Sequence, residues 1–93
     1  MPQQIYIDVS ELEAPEPFEQ IMPLVRSLQI NQYIKVLHRK EPFPLYEILL
    51  ENGYNYRAIP VNSGQYWIVI WISSDNKTAE FCQKMDFNQS ITL

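Results

Sequence analysis

The side chains equipped for chemistry fall in three places along the chain. Glu13 and Glu16 surround the start of the run Pro15-Glu16-Pro17, the stretch His38-Arg39-Lys40-Glu41 precedes Phe43 and Tyr46, and a single cysteine stands at position 82. His38 is the one histidine. With Glu16 and Glu41 it offers the donor types to bind a metal or relay protons, because imidazole titrates near neutral pH. A transition metal usually takes three or four protein ligands, and one histidine falls short of that. A strand-end histidine bonded to a backbone group is the plainer reading. Arg39 and Lys40 suit an anion, although Glu41 follows them directly and a solvated turn needs no ligand. Glu13 and Glu16 could act as paired carboxylates, yet acids gather at helix N-termini through the dipole alone. Cys82 has Lys84 nearby but nothing that lowers a thiol pKa, which reactivity requires. Phe43 and Tyr46 either wall a pocket or pack in the core. No Ser-His-Asp set, glycine-rich phosphate loop or Cys-x-x-Cys pair is present. The candidate ligand-binding set is therefore Glu16, His38, Arg39, Glu41 and Tyr46, with no catalytic residue, metal ligand or cofactor assigned.

Composition narrows the partners. At 93 residues the chain is sized for one domain. Hydrophobic residues at 46% against 19% charged give a packed core rather than disorder, and 13% aromatics supply much buried area for so short a chain. A net charge of −4 and a pI near 4.8 argue against nucleic acid and anionic membranes, both of which need clustered Lys and Arg. One cysteine excludes an internal disulfide and fits a reducing compartment. Met1-Pro2-Gln3-Gln4 leads straight into a strand pattern instead of the cationic start and apolar run of a signal peptide. Residues 66–72, the longest apolar run, are too few to span a bilayer. The expected compartment is the cytoplasm.

The elements that must position these residues can be read in order. Ile5, Ile7 and Val9 alternate with polar partners as a half-buried strand. Pro15 and Pro17 then open a helix over 15–29 carried by Phe18, Ile21, Met22, Val25 and Leu28, with Pro23 expected to kink it or shift its start. A second strand spans 33–38. Pro42 and Pro44 open a second helix through Leu45, Ile48 and Leu49, and Asn52-Gly53 closes it. Two strands over 54–61 and 64–73 follow, joined by Asn62-Ser63-Gly64 as a hairpin turn. The order β-α-β-α-β-β predicts an α+β two-layer sandwich, a four-stranded mixed sheet with two helices on one face. Residues 1–73 form this domain and 74–93 a C-terminal tail, in which 75–85 has a weak helical pattern through Phe81, Cys82 and Met85.

Two locations follow. With the first two strands parallel, both helices begin at one edge of the sheet, where ligands of such sheets collect. That edge joins residues 13–17 to residues 38–44, and unsatisfied first-turn N–H groups there would add positive character. On the opposite face, Tyr6, Tyr33, Leu37, Trp67, Val69 and Trp71 point away from the helices, while Tyr66, Ile68, Ile70 and Ile72 face them. A last strand apolar on both sides needs a cover: the tail through Phe81 and Phe87, a second copy forming a homodimer over Trp67 and Trp71, or a partner.

Ile7-Asp8-Val9, Pro15-Glu16-Pro17 and His38-Arg39-Lys40-Glu41-Pro42-Phe43-Pro44-Leu45-Tyr46 resemble the domain-of-unknown-function family 2249, which is similar in fold to the sulfur-carrier proteins TusA and SirA. The resemblance covers about residues 5–73 and implies the same sandwich. Sulfur carriers use Cys-Pro-x-Pro at the first helix, the cysteine bearing a persulfide; here Ala14-Pro15-Glu16-Pro17 keeps the prolines and lacks the nucleophile. Some family members accompany hemerythrin-like domains, which implies a redox or small-ligand context. The leading expectation is a non-catalytic binding or regulatory module that presents its helix starts to a small anionic ligand or a protein partner. The alternatives are a sulfur-transfer or redox accessory using Cys82, which would need Cys82 close to Ala14, and a structural homodimer.

Overall fold

The computed structural model describes residues 1–61 and 64–87. Asn62 and Ser63 of the expected hairpin turn, and the end of the tail, lie outside the described residues. The elements run β1 (Gln3–Asp8), α1 (Glu16–Arg26), β2 (Gln32–His38), α2 (Phe43–Glu51), β3 (Tyr54–Pro60), β4 (Tyr66–Ile72) and α3 (Asn76–Gln83). The four strands form one mixed sheet in the order β1-β2-β4-β3. β1 is parallel to β2, and β4 runs antiparallel to both of its neighbours. β3 therefore points the same way as β1 and β2, so α1 and α2 are both crossovers between parallel strands and both start at the carboxyl edge. β4 starts at that same edge, with Tyr66 beside His38 in the register.

Side-chain alternation divides the sheet cleanly. Ile34 and Val36 of β2 and Ile68 and Ile70 of β4 face α1 and α2, meeting Ile21, Val25, Leu45 and Leu49 in one fully or nearly buried cluster. Burying side chains of this size contributes about 1.5–3 kcal/mol each. The periodicity of α1 puts Pro17, Ile21 and Val25 inward, and the helix runs on through Pro23 to Arg26. α2 ends at Gly53, whose φ of +87° is the left-handed geometry a Cβ would resist.

The other face carries a third helix, beyond the two of a plain two-layer sandwich. Tyr33, Val69 and Trp71 pack there against Cys82 and Phe87, flanked by Phe81 and Met85. Trp71 is only 1% exposed as a result. Sequence pattern gave α3 a weak signal because so few apolar residues recur in it; what holds it is tertiary. At its start, the Asp75 carboxylate accepts from the N–H of Thr78 at 3.3 Å and, across the fold, from the N–H of Asn31 at 2.7 Å. At its end, Arg57 Nη1 from β3 lies 2.9 Å from the carbonyl oxygen of Cys82, 3.1 Å from that of Gln83 and 2.9 Å from that of Met85. The guanidinium also sits 5.3 Å from the Phe87 ring.

Candidate functional site

At the carboxyl edge the two helix starts do not close against each other. Each begins with a proline-flanked turn, Pro15-Glu16-Pro17 and Pro42-Phe43-Pro44, and neither has a side-chain cap. Between the two lies a cleft of about 850 Å³, within the roughly 300–1,000 Å³ of small-molecule pockets. Its walls are mainly apolar: Leu12, Pro17, Phe18 and Ile21 on the first side, Phe43 and Leu45 on the second, with Tyr66 from β4 at the sheet end. Ala14 lines it too, at a cis peptide bond to Pro15.

Prolines alter the electrostatics of this edge. Unsatisfied first-turn N–H groups are expected to make it anion-friendly, but most of them are gone. In α1 the Glu16 N–H donates to the Glu13 carbonyl, Pro17 has none to give, and the Glu19 N–H donates to the Pro15 carbonyl. In α2 the Phe43 N–H donates to the Glu41 carbonyl, Pro44 has none, and the Leu45 N–H donates to the Pro42 carbonyl. Prolines that suit a helix start because they lack an N–H also remove the donors that an anion would use there.

His38, Arg39 and Glu41 line the cleft, as does Lys40. His38 ends β2 on its helix-facing side and is 5% exposed. Its Nδ1 accepts from the Lys40 N–H at 3.3 Å, which assigns the ring proton to Nε2. Burial, with the positive charges of Lys40 and then Arg39, holds its pKa below the usual histidine value, so the ring is neutral at pH 7. Arg39 is half exposed; its Nη1 stands 3.8 Å from Glu13 and 3.5 Å from the Leu12 carbonyl, a loose tie between the two lips. Glu41 accepts from the Tyr46 hydroxyl at 3.2 Å.

The remaining candidates sit elsewhere. Tyr46 is buried in the core behind Glu41, stacked on Tyr56 with ring centroids 3.9 Å apart. Burial, then the charge and hydrogen bond of Glu41, pushes its phenol far above the usual tyrosine range. It reaches the cleft only through Glu41. Glu16 is exposed at the start of α1 and outside the lining. Cys82 is fully buried on the opposite side of the sheet from Ala14, among the α3 cluster, and burial pushes its thiol up to about 12. It has neither the place nor the ionisation of a sulfur-carrying residue. Among the described residues no three His, Cys, Asp or Glu side chains converge so as to hold a metal ion, and no helix is long and apolar enough to cross a membrane.

Leu12, Phe18, Ile21, Leu45 and Tyr66 line the cleft without having been singled out for it by sequence reasoning. Tyr66 was visible only as an apolar strand residue, and its place follows from the antiparallel register that sets it beside His38. Phe18 reads as a core residue by its spacing, yet it remains 39% exposed at the mouth of the cleft. No curated protein and no solved structure matches the chain. Residues 6–72, well over half of the sequence, match the family described as an uncharacterized conserved protein (DUF2249), and the chain belongs to that family.

Proposed function

We propose that this protein is a non-catalytic binding module whose ligand, a small anionic molecule, enters the cleft between the starts of α1 and α2. The observation that carries the reading is the cleft itself: a concave space of ligand size, walled by apolar side chains, with a few polar groups converging at one end. That is the usual make-up of a small-molecule site. Turnover has little to work with. Ala14 stands where the sulfur carriers to which family 2249 is similar in fold have their cysteine, and a methyl group is no nucleophile. Glu41 is engaged by Tyr46, and His38 is neutral, with its Nδ1 lone pair turned to the Lys40 N–H. The ring therefore offers a donor at neutral pH and no free base.

A fragment library screened by ligand-observed NMR tests this. Ala14 is an exposed lining residue, so Ala14→Trp fills the cleft without disturbing the core. Fragments that compete for one site in the unaltered chain and no longer bind to Ala14→Trp support the reading. A hit list that is the same for both proteins overturns it.

A further inference from the structure

The cleft has a direction. Its sheet end holds the buried His38, and its mouth carries exposed rings beside the charges of Arg39 and Lys40. At the deep end His38 is 95% withdrawn from solvent by its 5% exposure. Its Nδ1 is taken by the Lys40 N–H, and no hydrogen-bond partner is found for Nε2 among the described residues. Among the described residues the fully buried side-chain atom without a partner is Thr78 Oγ1, so Nε2 opens onto the cleft it lines and its N–H is available to an acceptor there. At the mouth, Phe18 is 39% and Phe43 64% exposed. They stand on opposite lips, so both rings face the same opening. Phe43 packs one edge against Tyr46, with ring centroids 5.8 Å apart, and still leaves most of its surface open at the mouth.

Charge narrows the head group. Arg39 and Lys40 bring two positive charges to the rim, and Glu13 and Glu41 bring two negative ones. One acid, Glu13, is loosely paired at 3.8 Å; the other is bonded by Tyr46. Lys40 is then the one cation at the rim with no ion pair among the described residues, while Glu41 keeps its charge beside it with only a neutral hydroxyl as partner. The rim thus has room for no more than one added negative charge, set against Lys40. It suits a dianionic phosphate poorly, because three phosphate oxygens need a dense set of donors and the prolines have removed the backbone N–H groups that would form one.

Resting on the binding reading above, we infer that the cleft takes a small monocarboxylic acid with an apolar body, one carboxylate oxygen accepting from His38 Nε2–H and facing Lys40, the body lying between Phe18 and Phe43. A carboxylate is planar, carries one charge and accepts from few donors, which is what this end supplies. The apolar body covers the two exposed rings and excludes water from the head-group bond, which strengthens it.

Phenylacetate and octanoate, each beside its primary amide, and inorganic phosphate are the probes. Binding to the full chain is followed by amide and imidazole chemical shifts in NMR titrations. The acids are expected to move residues 38–41 and the His38 Nε2 signal, and to bind roughly tenfold tighter than their amides, the usual gain of a charge-assisted over a neutral hydrogen bond. Phosphate is expected to leave these signals in place. Lys40→Gln, at an exposed position, should bring acid binding down to near the amide level; His38→Phe should abolish the preference and is read only if its spectrum is folded, Lys40→Gln deciding the matter otherwise. Acid and amide binding alike at the cleft overturns the carboxylate assignment and leaves the binding site standing. Phosphate binding as tightly as the acids overturns it as well, and so does an absence of shifts with both acids.

Discussion

Two regions of this molecule treat helix ends in opposite ways. α3 lies on the sheet with both ends answered by side chains: Asp75 accepts from its first turn, and Arg57 reaches from β3 to the carbonyls of its last. α1 and α2 begin with no side-chain cap at all. A proline silences one N–H in each first turn, and nearby backbone carbonyls take others. The two solutions leave different surfaces. Answering an end with a residue from elsewhere in the fold ties the helix down and closes the surface beneath it, which is why Trp71 is buried under so short a helix. Silencing an end leaves it apolar and untethered, and the space between two such ends stays open. The polar groups at the α3 ends are thus fully engaged by the fold, whereas those around the cleft keep capacity for a ligand, with Lys40 outside any ion pair among the described residues and His38 bonded through one ring nitrogen.

That contrast can be broken from either side. Truncating the residue that α3 covers should cost most: Trp71→Ala is expected to destabilise the chain by about 3–5 kcal/mol, the range for removing a buried large aromatic, read from urea unfolding. Arg57→Met keeps the stem and removes the charge-assisted bonds to the α3 carbonyls. A loss of about 1–3 kcal/mol is expected, with amide exchange accelerated in α3 before the rest; uniform exchange would mean that α3 does not depend on this tie.

Asp75→Asn is the next step down: an asparagine still caps, so what is lost is the charge-assisted share of the bonds from Thr78 and Asn31, about 1 kcal/mol at neutral pH. The Thr78 side chain, with the N–H groups of Asn31 and Thr78, holds the Asp75 carboxyl below the usual carboxylate value of 3.8. Its contribution is therefore complete above pH 3.8, and it is lost as pH falls through the lower value of the folded state. The difference between the unaltered chain and Asp75→Asn should shrink over that acid window and stay constant from pH 5 to 7; a difference that grows on acidification contradicts the assignment. The smallest effect belongs to the cleft. Arg39→Ala removes two loose exposed contacts, with Glu13 and with the Leu12 carbonyl, and the stability change should stay within about 0.5 kcal/mol. A larger loss would mean that the lips are tied together as firmly as α3 is.

The legible and the hidden parts of this structure divide along the same line. β1, β2, α1, α2 and the closing turn at Gly53 follow from local signals: strict alternation in Ile5-Tyr6-Ile7, apolar spacing from Phe18 to Val25, and a glycine where φ must be positive. Strand order was not legible. Inserting β4 between β2 and β3 depends on pairing residues far apart, and no local pattern distinguishes it from the alternatives. The importance of α3 was hidden for the same reason, since Arg57 and Asp75 read as ordinary polar residues until the fold brings them to its ends. The edge where the site lies could be deduced from topology alone. Its character could not, because the prolines that announce a helix start also take away the N–H groups that make helix starts attractive to anions, and only the bonds made by Glu16, Phe43 and Leu45 show how little is left.

The sheet also sorts the chain's chromophores. Both tryptophans, Trp67 and Trp71, project from β4 toward the α3 side, Trp71 beneath the helix and Trp67 with the Lys35 ammonium 4.2 Å from its ring. The cleft holds Tyr66 and two phenylalanines and no indole. Tryptophan emission in this protein therefore reports chiefly on the α3 face: the Trp71 contribution should change when that helix lifts from the sheet and stay constant while the cleft, which no indole lines, fills.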